Sequence, residues 1–149
     1  MNVSLNNISK TYGPDEFSLN NIYLNLEEYD NVAIVGDSGS GKSTILNIIA
    51  GIDRPNSGDV LVGGQNLGDL SQEGLVNFRK KNIGFVFQAF HLIPHLNVFQ
   101  NIALPCLLLD WQFNEIKKKI TSILEIIDLG DKRNVFPNNL SGGEQQRVA

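Results

Sequence analysis

The segment from position 36 to position 44 constrains this chain more than any other. It reads Gly36-Asp37-Ser38-Gly39-Ser40-Gly41-Lys42-Ser43-Thr44 and fills the pattern G-x-x-x-x-G-K-[ST] at every required position. The three glycines allow the backbone to curl, so that successive N–H groups point toward phosphate oxygens. Lys42 supplies a cation for the β- and γ-phosphates, and the Ser43 hydroxyl is a ligand that Mg²⁺ accepts. We therefore expect a nucleoside triphosphate to bind at this loop.

The residues on both sides of the loop have the pattern that such a loop requires. Upstream, Val32-Ala33-Ile34-Val35 is a continuous apolar run, which is typical of a parallel strand buried on both faces. Downstream, a helix with one apolar face is predicted to end at Gly51, the apolar residues being Ile45, Leu46, Ile48 and Ile49. The positive end of that helix dipole would face the same anion. A flexible Gly/Ser linker, the alternative, would not account for this strand–loop–helix context.

Composition limits the classes of partner. The chain has 149 residues, 42% of them hydrophobic, which is enough for one domain with its own core. A net charge of −4 gives no basic field for nucleic acid or anionic lipid, so we expect no nucleic-acid partner. Cys106 is the single cysteine, which excludes a disulfide framework and favours a reducing cytoplasm. No apolar stretch is long enough to span a bilayer.

Short apolar patterns predict strands on both sides of the loop. Val3, Leu5 and Ile8 favour a strand, and a second strand pattern changes phase at Asn20-Asn21, as in a bulged or interrupted strand. Residues 60–62 predict another short strand, and residues 83–87 predict a second buried strand that ends at Gln88. Because no helix separates the first strands, we expect an antiparallel β region ahead of the loop.

The chain becomes helical after Gln88. Asn97 is a candidate cap for a helix that Pro105 would kink or end. Before Gln88, Ser71 is a candidate cap for one short helix. Asn114 is a candidate cap for a clearer helix with one apolar face, formed by Ile116, Ile120, Ile123, Leu124 and Ile127. Residues 89–140 are therefore predicted to be a mainly helical insertion.

A second specific motif lies close to residue 149, the octapeptide Leu140-Ser141-Gly142-Gly143-Glu144-Gln145-Gln146-Arg147. Ser141 and Glu144 have capping-box spacing, so one interpretation is only that a helix starts here. The two glycines, however, cost about 1 kcal/mol each relative to alanine within a helix. They are useful if a phosphate must approach the backbone N–H groups closely.

The two motifs together resemble the ATP-binding-cassette (ABC) ATPases along the whole chain. Leu-Ser-Gly-Gly-Glu-Gln-Gln is similar to the family's signature motif, Gln88 falls at the Q-loop glutamine, and Tyr12 at the aromatic residue that stacks on adenine. The stretch 78–88 resembles the lipoprotein-release and macrolide- or peptide-export branch. The implied fold is an α/β P-loop NTPase with an N-terminal antiparallel β subdomain, parallel core strands and a helical subdomain. The β subdomain and phosphate-loop core would occupy residues 1–88, and the helical subdomain residues 89–149, ending in the signature.

The resemblance also implies roles for individual residues. Residues 36–44 would cradle the triphosphate of ATP, with Lys42 on the β/γ oxygens and Ser43 on Mg²⁺. Gln88 would join the metal shell or position the attacking water. The signature, from Ser141 to Glu144, would act on ATP held by a second ATPase subunit in a head-to-tail dimer. A transmembrane permease would meet residues 89–97, at the cytoplasmic face of the membrane, and the transport would be export.

Two departures from the family pattern carry expectations. Tyr29-Asp30 stands where the family usually has Gly-Glu, so if the turn requires a positive φ, either Tyr29 is strained or the turn has changed type. Within these 149 residues no apolar strand ends in Asp-Glu, the Walker B pair. We therefore expect the C-terminal part of the fold to be missing, and the chain alone to bind nucleotide but to hydrolyse it negligibly.

Two other function classes are open at this point. DNA-repair and chromosome-structure ATPases carry a similar signature, but they separate the two motifs by long coiled coils, and no sustained heptads occur here. A non-catalytic nucleotide-binding module is the second alternative. Turnover of ATP by the full-length product beside its membrane partner would separate that module from a transport ATPase.

Overall fold

The structure is a computed structural model that describes residues 1–13, 16–87 and 89–149. The chain divides into two compact units, Met1–Ile83 and Gly84–Ala149. Each unit has a hydrophobic core of its own.

The first unit contains the predicted antiparallel sheet. Its four strands are β1 (Val3–Gly13), β2 (Glu16–Leu26), β3 (Ser57–Val62) and β4 (Gln65–Asn66), in the order β2-β1-β3-β4. All three pairings between neighbours are antiparallel. Successive residues of a strand point to opposite faces, which places Val60 and Val62 of β3 together in the core. On β1 the register shift between Leu5 and Ile8 brings both of these residues into the core although they are three positions apart. The buried set on β1 and β3 is Leu5, Ile8, Val60 and Val62.

The predicted interruption of the second strand is confirmed. The β1–β2 register shifts at several places along the pair, and Asn7 and Asn21 take positive φ angles of 56° and 51°. Asparagine tolerates this left-handed region better than most residues. Gly58 on β3 has a φ of +93°, and a Cβ there would lie 2.4 Å from the Asn7 carbonyl oxygen. The close approach of β3 to the interrupted part of β1 therefore requires a glycine.

Two helices pack beside this sheet. Helix α1 (Lys42–Ile49) begins inside the phosphate-loop motif, as predicted, and Gly51 follows it with a φ of +64°. Helix α2 (Gln72–Asn82) is capped by Ser71, whose hydroxyl accepts from the Gly74 N–H at 3.1 Å. The two helices contribute Ile48, Leu75 and Phe78 to the core of the first unit.

The two segments predicted as buried core strands are not strands in this structure. Residues 32–35 have no regular secondary structure and Val35 is 86% exposed; residues 83–87 are likewise irregular and Val86 is 81% exposed. A strand needs a neighbour to take its backbone N–H and C=O groups. None of the described strands pairs with either segment, so most of their side chains remain exposed, although Ile83 packs against the core of the first unit.

The second unit is helical. Its helices are α3 (Val98–Leu108), α4 (Phe113–Ile126) and α5 (Gly142–Val148), with short 3-10 turns at Gly130–Lys132 and Pro137–Asn139. The apolar face predicted for α4 is confirmed, because Ile116, Ile120 and Leu124 are buried.

The predicted helix ends in this unit were correct in part. Asn97 caps α3 through a complete capping box with Gln100, as expected. Helix α4 starts earlier than predicted, because Gln112 rather than Asn114 is the N-cap, and its N–H donates to Glu115 Oε2 at 3.2 Å. Pro105 does not end α3, which continues to Leu108.

Candidate nucleotide-binding site

The phosphate-loop motif forms a tight turn that leads directly into α1. Gly39 and Gly41 take φ angles of +81° and +88°, in the left-handed region that favours glycine. A Cβ at Gly36 would lie only 2.7 Å from the Ser40 hydroxyl oxygen. Side chains at these positions would therefore strain or obstruct the turn, which explains why the motif needs its glycines.

The amino end of α1 is suited to an anion. Gly41 is the N-cap and provides no side-chain hydrogen bond, and the first turn carries no acidic residue. The backbone N–H groups of that turn and the positive end of the helix dipole therefore face outward. They line a pocket of about 310 Å³ formed by Ser38, Gly39, Gly41, Lys42, Ser43 and Thr44. The structure thus brings together six of the predicted phosphate-contacting residues.

The Lys42 ammonium group lies within the loop. Its Nζ donates to the carbonyl oxygens of Gly36 at 2.9 Å and Asp37 at 2.5 Å, and to the Ser40 hydroxyl at 3.4 Å. These contacts fold the lysine side chain back over the turn. The positive charge is therefore fixed at the loop and beside the first-turn N–H groups.

Tyr12 lies near the end of β1 in the same unit. It is 55% exposed, so its ring is accessible, and its hydroxyl donates to Asp53 Oδ2 at 2.7 Å. Asp53 lies outside both sequence motifs, and its contact with Tyr12 was not predicted. Burial raises the pKa of Asp53, but hydrogen bonds from Lys10, Tyr12 and the Arg54 N–H outweigh that effect and hold the pKa below its usual value.

The signature residues form the start of α5. Ser141 is the N-cap, its hydroxyl oxygen accepts from the Glu144 N–H at 3.3 Å, and the Glu144 carboxylate accepts from the Ser141 N–H at 2.8 Å. The capping-box interpretation is therefore confirmed. A Cβ built on Gly142 or Gly143 would meet no atom within 4 Å. Packing inside this chain does not require either glycine.

Glu144 also takes part in an ion pair that the sequence analysis missed. Lys132 Nζ lies 2.5 Å from Glu144 Oε1. The hydrogen bond from Lys132, and then those from Ser141, lower the pKa of Glu144 to about 2. Glu144 is therefore ionised at neutral pH. Lys132 lies 12 positions before Glu144, and it is the 3-10 turn at Gly130–Lys132 that carries it to the carboxylate. No sequence motif indicates this pair, because the contact depends on the folded path of the chain.

A comparison with protein-family models decides the family. The model for the ABC transporter family matches residues 19–149, which include both motifs. The chain belongs to the ABC transporter family.

Relatives of this ABC-family chain include an import protein and a lipoprotein-releasing protein. It is 42% identical over 149 residues to a methionine import ATP-binding protein of Helicobacter pylori, covering 100% of this chain and 45% of that protein. It is 44% identical over 146 residues to the lipoprotein-releasing system ATP-binding protein of Blochmanniella floridana, covering 96% of this chain and 62% of that protein. The chain therefore spans about half to three-fifths of these relatives.

A solved structure of an ABC cassette has the same fold. It is a dimeric post-hydrolysis state bound to ADP and Pi, 42% identical, with a TM-score of 0.85 over 98% of this chain and 66% of that one. This similarity confirms the predicted fold class, an α/β cassette of the ABC ATPase type.

One predicted site residue of this ABC-family chain cannot be placed. Gln88 lies outside the described residues, so its role stays a prediction. Within the described part of the chain, no helix is long and apolar enough to cross a bilayer.

Proposed function

We propose that this chain is the ATP-binding part of an ABC transporter ATPase. The observation that carries the proposal is the glycine turn at residues 36–41, which delivers Lys42 and an uncapped helix end to one pocket. Oriented N–H groups, a helix dipole and a fixed cation are the arrangement that a polyphosphate needs. A solved relative bound to ADP and Pi supports the same ligand class.

The phosphate loop would hold the triphosphate by its own groups. Residues 36–44 would surround it with backbone N–H donors, and Lys42 would exchange a loop carbonyl for a β- or γ-phosphate oxygen. The Ser43 side chain lies exposed at the first turn of α1, where its hydroxyl can serve as a metal ligand.

The residues present fit a magnesium ion. Among residues 1–13, 16–87 and 89–149, no three His, Cys, Asp or Glu side chains form a metal cluster. Mg²⁺ does not need such a cage, because it binds through one or two protein oxygens together with phosphates and waters. Ser43, with Gln88, would hold the ion, which when bound neutralises phosphate charge during phosphoryl transfer.

The adenine base would stack on Tyr12. Half of the tyrosine is exposed, and an aromatic ring provides a face on which any flat base can stack. Gln88 would also orient the attacking water in the intact protein.

The signature residues would act on a second copy. Ser141, Gly142, Gly143 and Glu144 would lie against the γ-phosphate held by the partner subunit, in a head-to-tail dimer joined by ATP. The open space around Gly142 and Gly143 supports this role, since a Cβ at either position would meet no other part of the described chain within 4 Å. Solved relatives are dimeric.

Titration calorimetry tests the ATP site. The full chain is expected to bind MgATP saturably, with a Kd below about 1 mM, a free energy of roughly −4 kcal/mol or better. AMP, which lacks the β- and γ-phosphates, is expected to bind at least about tenfold more weakly, because it cannot reach the lysine and the helix end together. Equal affinities for MgATP and AMP would contradict the proposal.

In the intact protein, dimer closure would drive a transmembrane permease from the cytoplasmic face, and we propose export. The helical subdomain, residues 89–149, would follow the phosphate-loop core of residues 1–88, and residues 89–97 would meet a cytoplasmic segment of the permease. Similarity to the lipoprotein-releasing relative supports export, whereas the methionine import relative, at 42% identity, makes import the alternative.

Inside-out membrane vesicles that contain the intact ATPase and its permease distinguish the two directions. In such vesicles the cytoplasmic face is outside, so an exporter takes cargo into the lumen when ATP is added. We expect ATP-dependent accumulation of cargo in or on the vesicle. ATP-dependent release of preloaded cargo would show that the transporter is an importer.

A further inference from the structure

One carboxylate holds both Tyr12 and a neighbouring lysine. Asp53 Oδ2 accepts from the Tyr12 hydroxyl at 2.7 Å, and Asp53 Oδ1 accepts from Lys10 Nζ at 2.7 Å. Lys10 and Tyr12 are two positions apart on β1, so they project from the same side of the strand. The Lys10 ammonium lies 4.9 Å from the centroid of the tyrosine ring.

The group is partly buried and well bonded. The Lys10 side chain is 12% exposed and that of Asp53 is 27% exposed. Lys10 Nζ also donates to the Arg54 carbonyl at 2.7 Å, and the Arg54 N–H donates to Asp53 Oδ1 at 2.8 Å. Hydrogen bonds to an ionised carboxylate are shorter and stronger than those between neutral groups. The tyrosine is therefore held from its hydroxyl end by a fixed anion.

The loop that carries Asp53 is itself joined to both β1 and α1. The Asn56 N–H donates to the Ser9 carbonyl at 2.9 Å, and the Thr11 N–H donates to Asn56 Oδ1 at 2.8 Å. At its other end, the Ile52 N–H donates to the Asn47 carbonyl in α1 at 2.9 Å. The tyrosine and the phosphate-loop helix are thus connected by short hydrogen-bonded links.

We propose that Asp53 and Lys10 are positioning residues that hold the Tyr12 ring for stacking on the nucleobase. This inference rests on the proposed ATP site. Because the hydroxyl of Tyr12 is already bonded to Asp53, the ring alone is left to contact the base. The Lys10 ammonium covers one ring face, so the base stacks on the opposite face.

If Asp53 and Lys10 position the ring, their loss should affect the affinity for ATP differently from the affinity for tripolyphosphate. Base stacking contributes to the affinity for ATP but not for tripolyphosphate, which has the same chain of phosphates and no base. Loosening the ring should therefore reduce the affinity for MgATP alone. A general defect of the fold or of the phosphate loop would reduce both affinities.

Calorimetric titration of the full chain with MgATP and with magnesium tripolyphosphate tests the proposal. Asp53→Asn and Tyr12→Phe are each expected to weaken MgATP binding about threefold to tenfold. Asp53→Asn removes the charge that strengthens the hydrogen bond to the Tyr12 hydroxyl, and Tyr12→Phe removes that bond altogether. Tripolyphosphate binding should stay within about twofold of the unsubstituted chain. The double variant should lose about as much affinity as the more strongly affected single variant, since both changes act on the bond between Asp53 and Tyr12.

Asp59→Asn is the matched control for these variants. Asp59→Asn removes a β3 carboxylate that accepts from Asn66 at 3.2 Å and has no contact with Tyr12; it should change neither affinity. Equal losses of affinity for MgATP and for tripolyphosphate, or no loss of affinity for MgATP, would overturn the positioning role.

Tyr12→Phe keeps Asp53 and its pair with Lys10, so this variant alone tests the positioning role if Asp53→Asn fails to fold. If the unsubstituted chain bound neither ligand, the proposed ATP site itself would be wrong, and this inference with it.

Discussion

Substitution of Lys42 by alanine is expected to weaken MgATP binding by at least about 100-fold, which corresponds to roughly 2.7 kcal/mol. The ammonium lies 2.9 Å from the Gly36 carbonyl oxygen and 2.5 Å from that of Asp37. Alanine removes the cation and leaves those carbonyl dipoles facing the phosphates. Losing a charge-assisted partner in such a site costs several kcal/mol. Titration calorimetry on the full chain measures the effect.

Lys81→Ala is the matched control for this experiment. Lys81 is an exposed lysine on α2 in the same unit, so its removal changes the net charge equally without touching the loop. Its affinity for MgATP should stay within about twofold of the unsubstituted chain, as expected for a distant, screened charge. Thermal melting followed by circular dichroism checks that Lys42→Ala is folded. Unchanged affinity in a folded Lys42→Ala chain would refute the phosphate-loop assignment.

Substitution of Gly143 by aspartate is expected to abolish the ATP-dependent dimer of the intact protein and to leave ATP binding by the monomer unchanged. A Cβ at Gly143 meets no atom within 4 Å, so the side chain fits the folded chain. An acid in the first turn of α5 is also favoured by the helix dipole. In the dimer, however, the carboxylate would face the γ-phosphate of the partner's ATP, and like charges at contact distance repel strongly.

Sedimentation velocity with a non-hydrolysable ATP analogue measures this dimer. Gly130→Asp is the matched control, because Gly130 is in the same unit and its Cβ position is also open. The control should dimerise like the unsubstituted protein. Normal dimerisation of Gly143→Asp would mean that the signature does not act on the partner's nucleotide.

Local patterns predicted the parts of the site that are built from consecutive residues. The phosphate loop, the helix after it and the capping box at Ser141 and Glu144 each depend on contacts within one or two turns. Tyr29 takes a φ of +72°, so of the two outcomes left open for this turn the structure has the strained tyrosine. Such features can be read from sequence because the interacting groups are neighbours along the chain.

Features that depend on distant partners were missed or mispredicted. The apolar runs at residues 32–35 and 83–87 have the composition of buried strands, but strand formation depends on a neighbouring strand rather than on composition alone. Pro105 lies within α3, since packing of that helix outweighs the local penalty. The link from Tyr12 to Asp53 spans 41 positions, and no motif spacing indicates it.

The exposed apolar segment at residues 32–35 is expected to favour self-association of the molecule at high concentration. The backbone N–H and C=O groups of residues 32–35 can pair with a strand from another copy of the chain. The exposed side chains of Val32 and Val35 would add apolar contact area. Preparations should therefore be kept dilute, and light scattering should accompany every ligand titration. Otherwise self-association through this segment would be mistaken for nucleotide-driven assembly.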